Sequence, residues 1–200
     1  MENNIDLNQE ISFETFKKQV LEDYRLIVTS REASLLGRRE VLNGKAKVGI
    51  FGDGKELPQI ALSKVFQKGD YRSGYYRDQT FMMSINELTV KQLFSGLYAN
   101  TDINEEPMSA GRQMGAHFNT PFLNKDGSWK NLIDLKNSSS DVSCTGSQMP
   151  RLLGLAQASK LYRKLKIKNS SKFSNNGNEI AWGTIGNAST SEGIFFEVLN

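Results

Sequence analysis

Cysteine and histidine occur once each in this chain of 200 residues, as Cys144 and His117. A single cysteine excludes an internal disulfide framework and suits a reducing, cytoplasmic setting. One cysteine and one histidine are also too few ligands for a structural zinc site. No run of about 18 apolar residues is present, so neither a transmembrane helix nor a membrane partner is expected. The opening residues, MENNIDLNQE, are acidic and polar, unlike a secretory signal. Excess charge is scarce too: the net charge of +3 gives little reason to expect nucleic acid as a partner. What remains is a composition of 38% hydrophobic and 24% charged residues, that of a soluble globular protein of one domain or at most two.

The pattern along the chain alternates helices with a few strands, the signature of an α/β layer fold. Residues 1–11 read as a disordered lead-in. A long helix is predicted over 12–42, with Phe13, Phe16, Val20, Tyr24, Ile27 and Val28 on one stripe and Asn43-Gly44 as its stop. A Gly-rich link leads to a shorter helix over 56–67 that ends at Gly69. Ser84-Ile85-Asn86-Glu87 reads as a capping box opening a further helix through Leu88, Leu93, Phe94, Leu97 and Tyr98. Residues 100–147 are irregular, too long for an idle connector, and are expected to be a functional loop region. A helix follows over 148–165 with Pro150 in its first turn. The basic stretch 160–172 suits a solvated helix end and surface loop. Residues 180–185 form a short apolar run that suits a buried strand.

Several groups can carry chemistry. After that strand, Gly186, Ala188 and Ser189 are small enough to let a ligand reach the backbone. Ser189-Thr190-Ser191-Glu192 fits a capping box, and a helix start favours a phosphate, although an ordinary strand-to-helix turn has the same pattern. In Tyr75-Tyr76-Arg77-Asp78-Gln79, Arg77 can grip a phosphate with Tyr76 donating a hydroxyl; the alternative is an Arg77–Asp78 surface pair. His117 can transfer protons near neutrality, and a structural role is the alternative. Cys144 has no neighbouring base or acid and reads as a small packed residue. GIFGDG, at 49–54, lacks the spacing of a dinucleotide loop.

Taken in order, SREASLLGRREVL, GDGKELPQ, GYYRDQTFMM, PMSAGRQMGAHF, GSQMPRLLGLAQASK and GNASTSEGIFFEVLN form a set. Over residues 12–200 the chain resembles the alpha subunit of the thiamine-diphosphate-dependent first component of 2-oxo acid dehydrogenase complexes. Within that family it is most similar to the bacterial branched-chain, 2-oxoisovalerate type in which alpha and beta parts are fused.

The resemblance implies an α/β thiamine-diphosphate-binding fold, of which residues 12–200 would be the N-terminal half only. It implies decarboxylation of a 2-oxo acid, branched-chain or another such as pyruvate, with transfer of the acyl group to lipoamide. Tyr76 and Arg77 would contact the diphosphate, and Ser143 and Thr145 would meet the aminopyrimidine through backbone groups. Gly186, Asn187 and Ala188 would stand at the Gly-acid-Gly positions of the cofactor motif, with Ser189 beside them. Asn187 would ligate Mg²⁺ through an amide oxygen where the family usually offers a carboxylate; a hard cation accepts either. His117 would be catalytic, on the substrate side. The implied partners are the beta part, which supplies the activating glutamate, and a lipoyl-bearing acyltransferase, in an oligomer. The second Asn of the motif would lie past residue 200. A non-catalytic nucleotide or nucleic-acid binding module using Arg77 and 160–172 is the alternative from another class.

Overall fold

The computed structural model describes residues 11–165 and 167–200. The expected lead-in therefore lies outside the described residues, apart from the exposed Ile11. The first helix, α1, runs Phe13–Leu42: Ser12 Oγ accepts the amide of Thr15 at 3.2 Å, and Gly44, at φ +71°, ends it after Asn43.

The apolar stripe of α1 does not face the core. Phe13 is 72% exposed and Tyr24 62%, whereas the buried residues are Ser30, Ala33, Ser34 and Gly37. What packs there explains the reversal. The helix α3, Gln79–Ser84, presents polar side chains to α1: Gln79 Nε2 donates to Ser30 O at 2.9 Å, and the hydroxyls of Ser30 and Thr80 lie 2.7 Å apart. A buried amide needs partners, and only the small polar face of α1 supplies them.

The other helices are α2 (Glu56–Val65), α4 (Val90–Leu97), α5 (Gln148–Lys164) and α6 (Gly193–Leu199). Three short strands, β1 (Tyr71–Ser73), β2 (Asn137–Ser138) and β3 (Ala181–Gly183), form one sheet in the order β2-β1-β3, parallel throughout. Tyr71 is in register with Asn137 on one side and Ala181 on the other. The α/β expectation is met: parallel neighbours need long crossovers, and helices provide them. Phe66 and Phe81 meet edge to face at 5.1 Å in a core shared with Met82, Leu88, Leu93 and Phe118.

Two boundaries differ from expectation. Ser84 closes α3, donating its hydroxyl to Phe81 O at 2.8 Å, and Asn86 has φ 65°, so no helix starts there. The capping box is Thr89 with Gln92, each accepting from the other's backbone amide, and it opens α4. The strand expected over 180–185 is Ala181–Gly183 and only half-buried, because it lies at an edge of the sheet as described. Residues 100–147 are irregular apart from a short 3₁₀ turn and β2. Within them the buried Glu106 carboxylate accepts the amides of Met108, Ser109 and Gly111 and so shapes the turn leading to His117.

Candidate functional site

Because the three strands run parallel, their carboxyl ends open on one edge, where open α/β sheets bind ligands. The segment after β1 is 74–78, that after β2 is 139–147, and that after β3 is 184–189. The segments that carry Tyr76 and Arg77, Ser143 and Thr145, and Gly186, Asn187, Ala188 and Ser189 thus leave the sheet from this one edge, from three separate stretches of chain. His117 joins them: its Nε2 lies 2.9 Å from Ser143 Oγ, and the next residue, Phe118, donates its amide to Asp141 at 3.0 Å. The imidazole is buried, while Ser143 is exposed.

Arg77 is exposed, with its guanidinium 5.6 Å from the centre of the Tyr76 ring, a cation–π geometry. Its backbone is held from behind. Gln59 Nε2 donates to Arg77 O at 2.8 Å, and a Cβ at Gly52 would stand 2.4 Å from that same oxygen. The GDG stretch thus serves as a backing surface for the Arg77 loop. The Arg77–Asp78 surface pair is not formed, because Asp78 turns inward to Arg72.

Arg72, Asp78 and Asp141 form a buried ion cluster beneath the edge, each carrying 3% exposure or less. The guanidinium donates from Nε to Asp78 Oδ2 at 2.8 Å and, as a fork, to both oxygens of Asp141 at 3.0 and 3.1 Å. It also reaches Ser138 Oγ at 2.7 Å and Tyr75 O at 3.0 Å. Burial alone would lower the pKa of Arg72, but Asp141 and Asp78 overcome this and raise it. Burial pushes the Asp141 carboxyl above the ordinary range, with Arg72 pulling the other way. Thr184, at the end of β3, donates its hydroxyl to Asp78.

Two local expectations are corrected. Ser189 caps no helix: 188–191 form a 3₁₀ turn, and α6 begins only after Glu192, which makes no side-chain cap bond. The amides of Ser189 and Thr190 are spent on Gly186 O and Asn187 O, so the small-residue run closes on itself instead of presenting a helix start. Cys144 is exposed at this edge and not packed.

The exposed Arg77 guanidinium and Asn187, with the half-buried Tyr76 beside them, suit a diphosphate, with Asp78 and Asp141 buried below. For a divalent cation the edge offers the Asn187 oxygen. Among the described residues no group of three or more His, Cys, Asp or Glu could hold a metal. A cation here would take most of its ligands from the diphosphate.

Sequence reasoning missed Arg72, Tyr75, Asp78, Asp141 and Thr184 as parts of this edge. Tyr75 rather than Tyr76 faces the β3 loop, its ring 3.5 Å from where a Cβ of Gly186 would stand. No spacing in the chain relates Arg72 to Asp141; only strand order brings them together. Asp78 adjoined the motif and carried the one available signal.

A parallel α/β sheet with polar segments after its strands has the layout of an α/β protein that takes its ligand at the carboxyl edge. Residues 38–200 match the family described as Dehydrogenase E1 component, and the chain belongs to that family. Its members bind thiamine diphosphate and form the decarboxylating component of 2-oxo acid dehydrogenases. No curated protein matches the chain significantly. No described helix is long and apolar enough to cross a membrane.

Proposed function

We propose that this chain is the alpha part of a branched-chain 2-oxo acid dehydrogenase, holding thiamine diphosphate and Mg²⁺ at the carboxyl edge of its sheet. The acyl group is passed to lipoamide on an acyltransferase, and a beta part completes the enzyme. The observation that carries this reading is the gathering of the 76–77, 143–145 and 186–189 segments on one edge in a member of the E1 family. When bound, the cofactor supplies the electron sink for decarboxylation.

The residues of this chain do the holding and orienting. Arg77 and Tyr76 bind the diphosphate by charge-assisted hydrogen bonds. Asn187 contributes an amide oxygen to the cation. The backbone at Ser143 and Thr145 orients the ring end. His117 stands behind Ser143 at 2.9 Å, so a proton at Nε2 reaches the edge through the exposed hydroxyl. The branched-chain preference rests on the resemblance of the six motifs taken in order.

The test is calorimetric titration of the assembled enzyme with thiamine diphosphate, with and without Mg²⁺, followed by turnover on 2-oxoisovalerate and pyruvate. Metal-dependent binding and a higher kcat/KM for 2-oxoisovalerate are expected. No binding would sink the reading; a preference for pyruvate would retain the chemistry and overturn the substrate.

A further inference from the structure

The ion cluster beneath the edge is unused by that reading, yet it touches every segment the reading needs. Arg72 bonds to Tyr75 O and Ser138 Oγ as well as to its two carboxylates. Asp141 passes the contact on to the Phe118 amide, beside His117, and Asp78 passes it to the Tyr75 amide and the Thr184 hydroxyl. The loop after β1 presses so closely on the cluster that a Cβ at Gly74 would stand 2.1 Å from Asp78 Oδ2 and 2.4 Å from Arg72 Nε. A side chain there would have to displace the ion pair.

Stability alone is a poor explanation for such a cluster. Burying one guanidinium and two carboxylates is costly, and apolar side chains of similar volume often serve stability as well or better. What aliphatic groups cannot do is fix direction. A planar fork sets the position of each partner to within the tolerance of a hydrogen bond. Here those partners belong to the ends of β1 and β2, and Asp78 carries the contact to the end of β3 through Thr184.

We propose that Arg72 is a positioning residue of the cofactor site: its guanidinium sets the mutual geometry of the 75–78, 138–143 and 184–187 segments. It does so without touching the ligand. The proposal rests on the cofactor reading above. It assigns Arg72 a role in affinity that is separate from its role in folding.

The experiment compares wild type, Arg72→Lys and Thr184→Val in the assembled enzyme. It measures the Kd for thiamine diphosphate in the presence of Mg²⁺, the KM for the 2-oxo acid and the thermal midpoint. Arg72→Lys keeps the charge and loses the fork, so the thermal midpoint should fall and Kd should rise about tenfold while KM stays close to wild type. Thr184→Val keeps all three charged groups and removes one peripheral bond; should Arg72→Lys not fold, it carries the test, with Kd expected to rise about threefold. A folded Arg72→Lys or Thr184→Val enzyme that binds the cofactor as tightly as wild type would overturn the proposal. So would Kd and KM rising in parallel, the behaviour of a purely structural cluster. Failure of the wild type itself to bind would instead overturn the cofactor reading, and the proposal with it.

Discussion

Asn187 is exposed at the end of the β3 loop, its carbonyl engaged by the Thr190 hydroxyl at 2.6 Å and its amide facing solvent. If that amide ligates magnesium, Asn187→Asp should preserve or tighten metal-dependent cofactor binding, since a carboxylate is the better hard ligand. Asn187→Leu should abolish it. Equal affinity of the two variants in a magnesium titration would place the metal elsewhere. Arg77 carries the second prediction at this scale. Arg77→Ala removes a charge-assisted bond of about 1.5–3 kcal/mol, so cofactor affinity should fall by roughly ten- to a hundredfold. Substrate preference should not change, because the contact proposed for Arg77 is to the diphosphate. Unchanged affinity in a calorimetric titration would remove Arg77 from the site.

At the scale of elements, α1 and α2 are joined by Arg31 and Glu56, whose bidentate bonds measure 2.6 and 2.8 Å. The same carboxylate also accepts the amide of Gly54 at 3.0 Å. Arg31 holds the Glu56 carboxyl below the ordinary value of 4.5, with burial opposing. A depressed carboxyl contributes stability above its unfolded pKa and loses it as the pH falls through the lower folded value. Thermal midpoints should therefore fall on acidification below about pH 4.5. Glu56→Gln should fall less steeply there, so that the gap from wild type narrows; parallel curves would exclude this pair as a source of the pH dependence. The capping box of α4 gives a simpler test. Thr89→Ala leaves the amide of Gln92 without its partner and should cost about 1 kcal/mol in denaturant unfolding, with no effect on cofactor affinity.

For the whole molecule, the question is what meets the exposed apolar surface of α1, where Phe13, Phe16, Val20 and Tyr24 are all more than 45% exposed. A surface of this kind is costly in water and favours association. In the reading proposed above, a beta part completes the enzyme. The 200-residue chain supplied with thiamine diphosphate, Mg²⁺ and a 2-oxo acid should accordingly show no turnover on its own. Turnover by the chain alone, measured with an artificial electron acceptor and with host enzyme excluded, would contradict that division of labour.

Local rules sufficed wherever an interaction closes within a few residues. The span of α1, the Asn43-Gly44 stop and the extent of α5 were legible because apolar period, positive-φ glycines and first-turn prolines act on neighbours along the chain. The order of the motifs carried the family, and the α/β class followed from alternation of elements. Tertiary structure decided the rest. Which face of α1 is buried depended on the buried Gln79 amide of another helix needing Ser30 and Ser34, so hydrophobicity pointed to the wrong side. Where the last helix begins depended on the 3₁₀ turn that takes up Ser189. The Arg72 cluster depended on Asp141, which no sequence spacing links to Arg72. A buried charge is stable only beside its counter-charges, and here those counter-charges meet it only once three parallel strands have been set side by side.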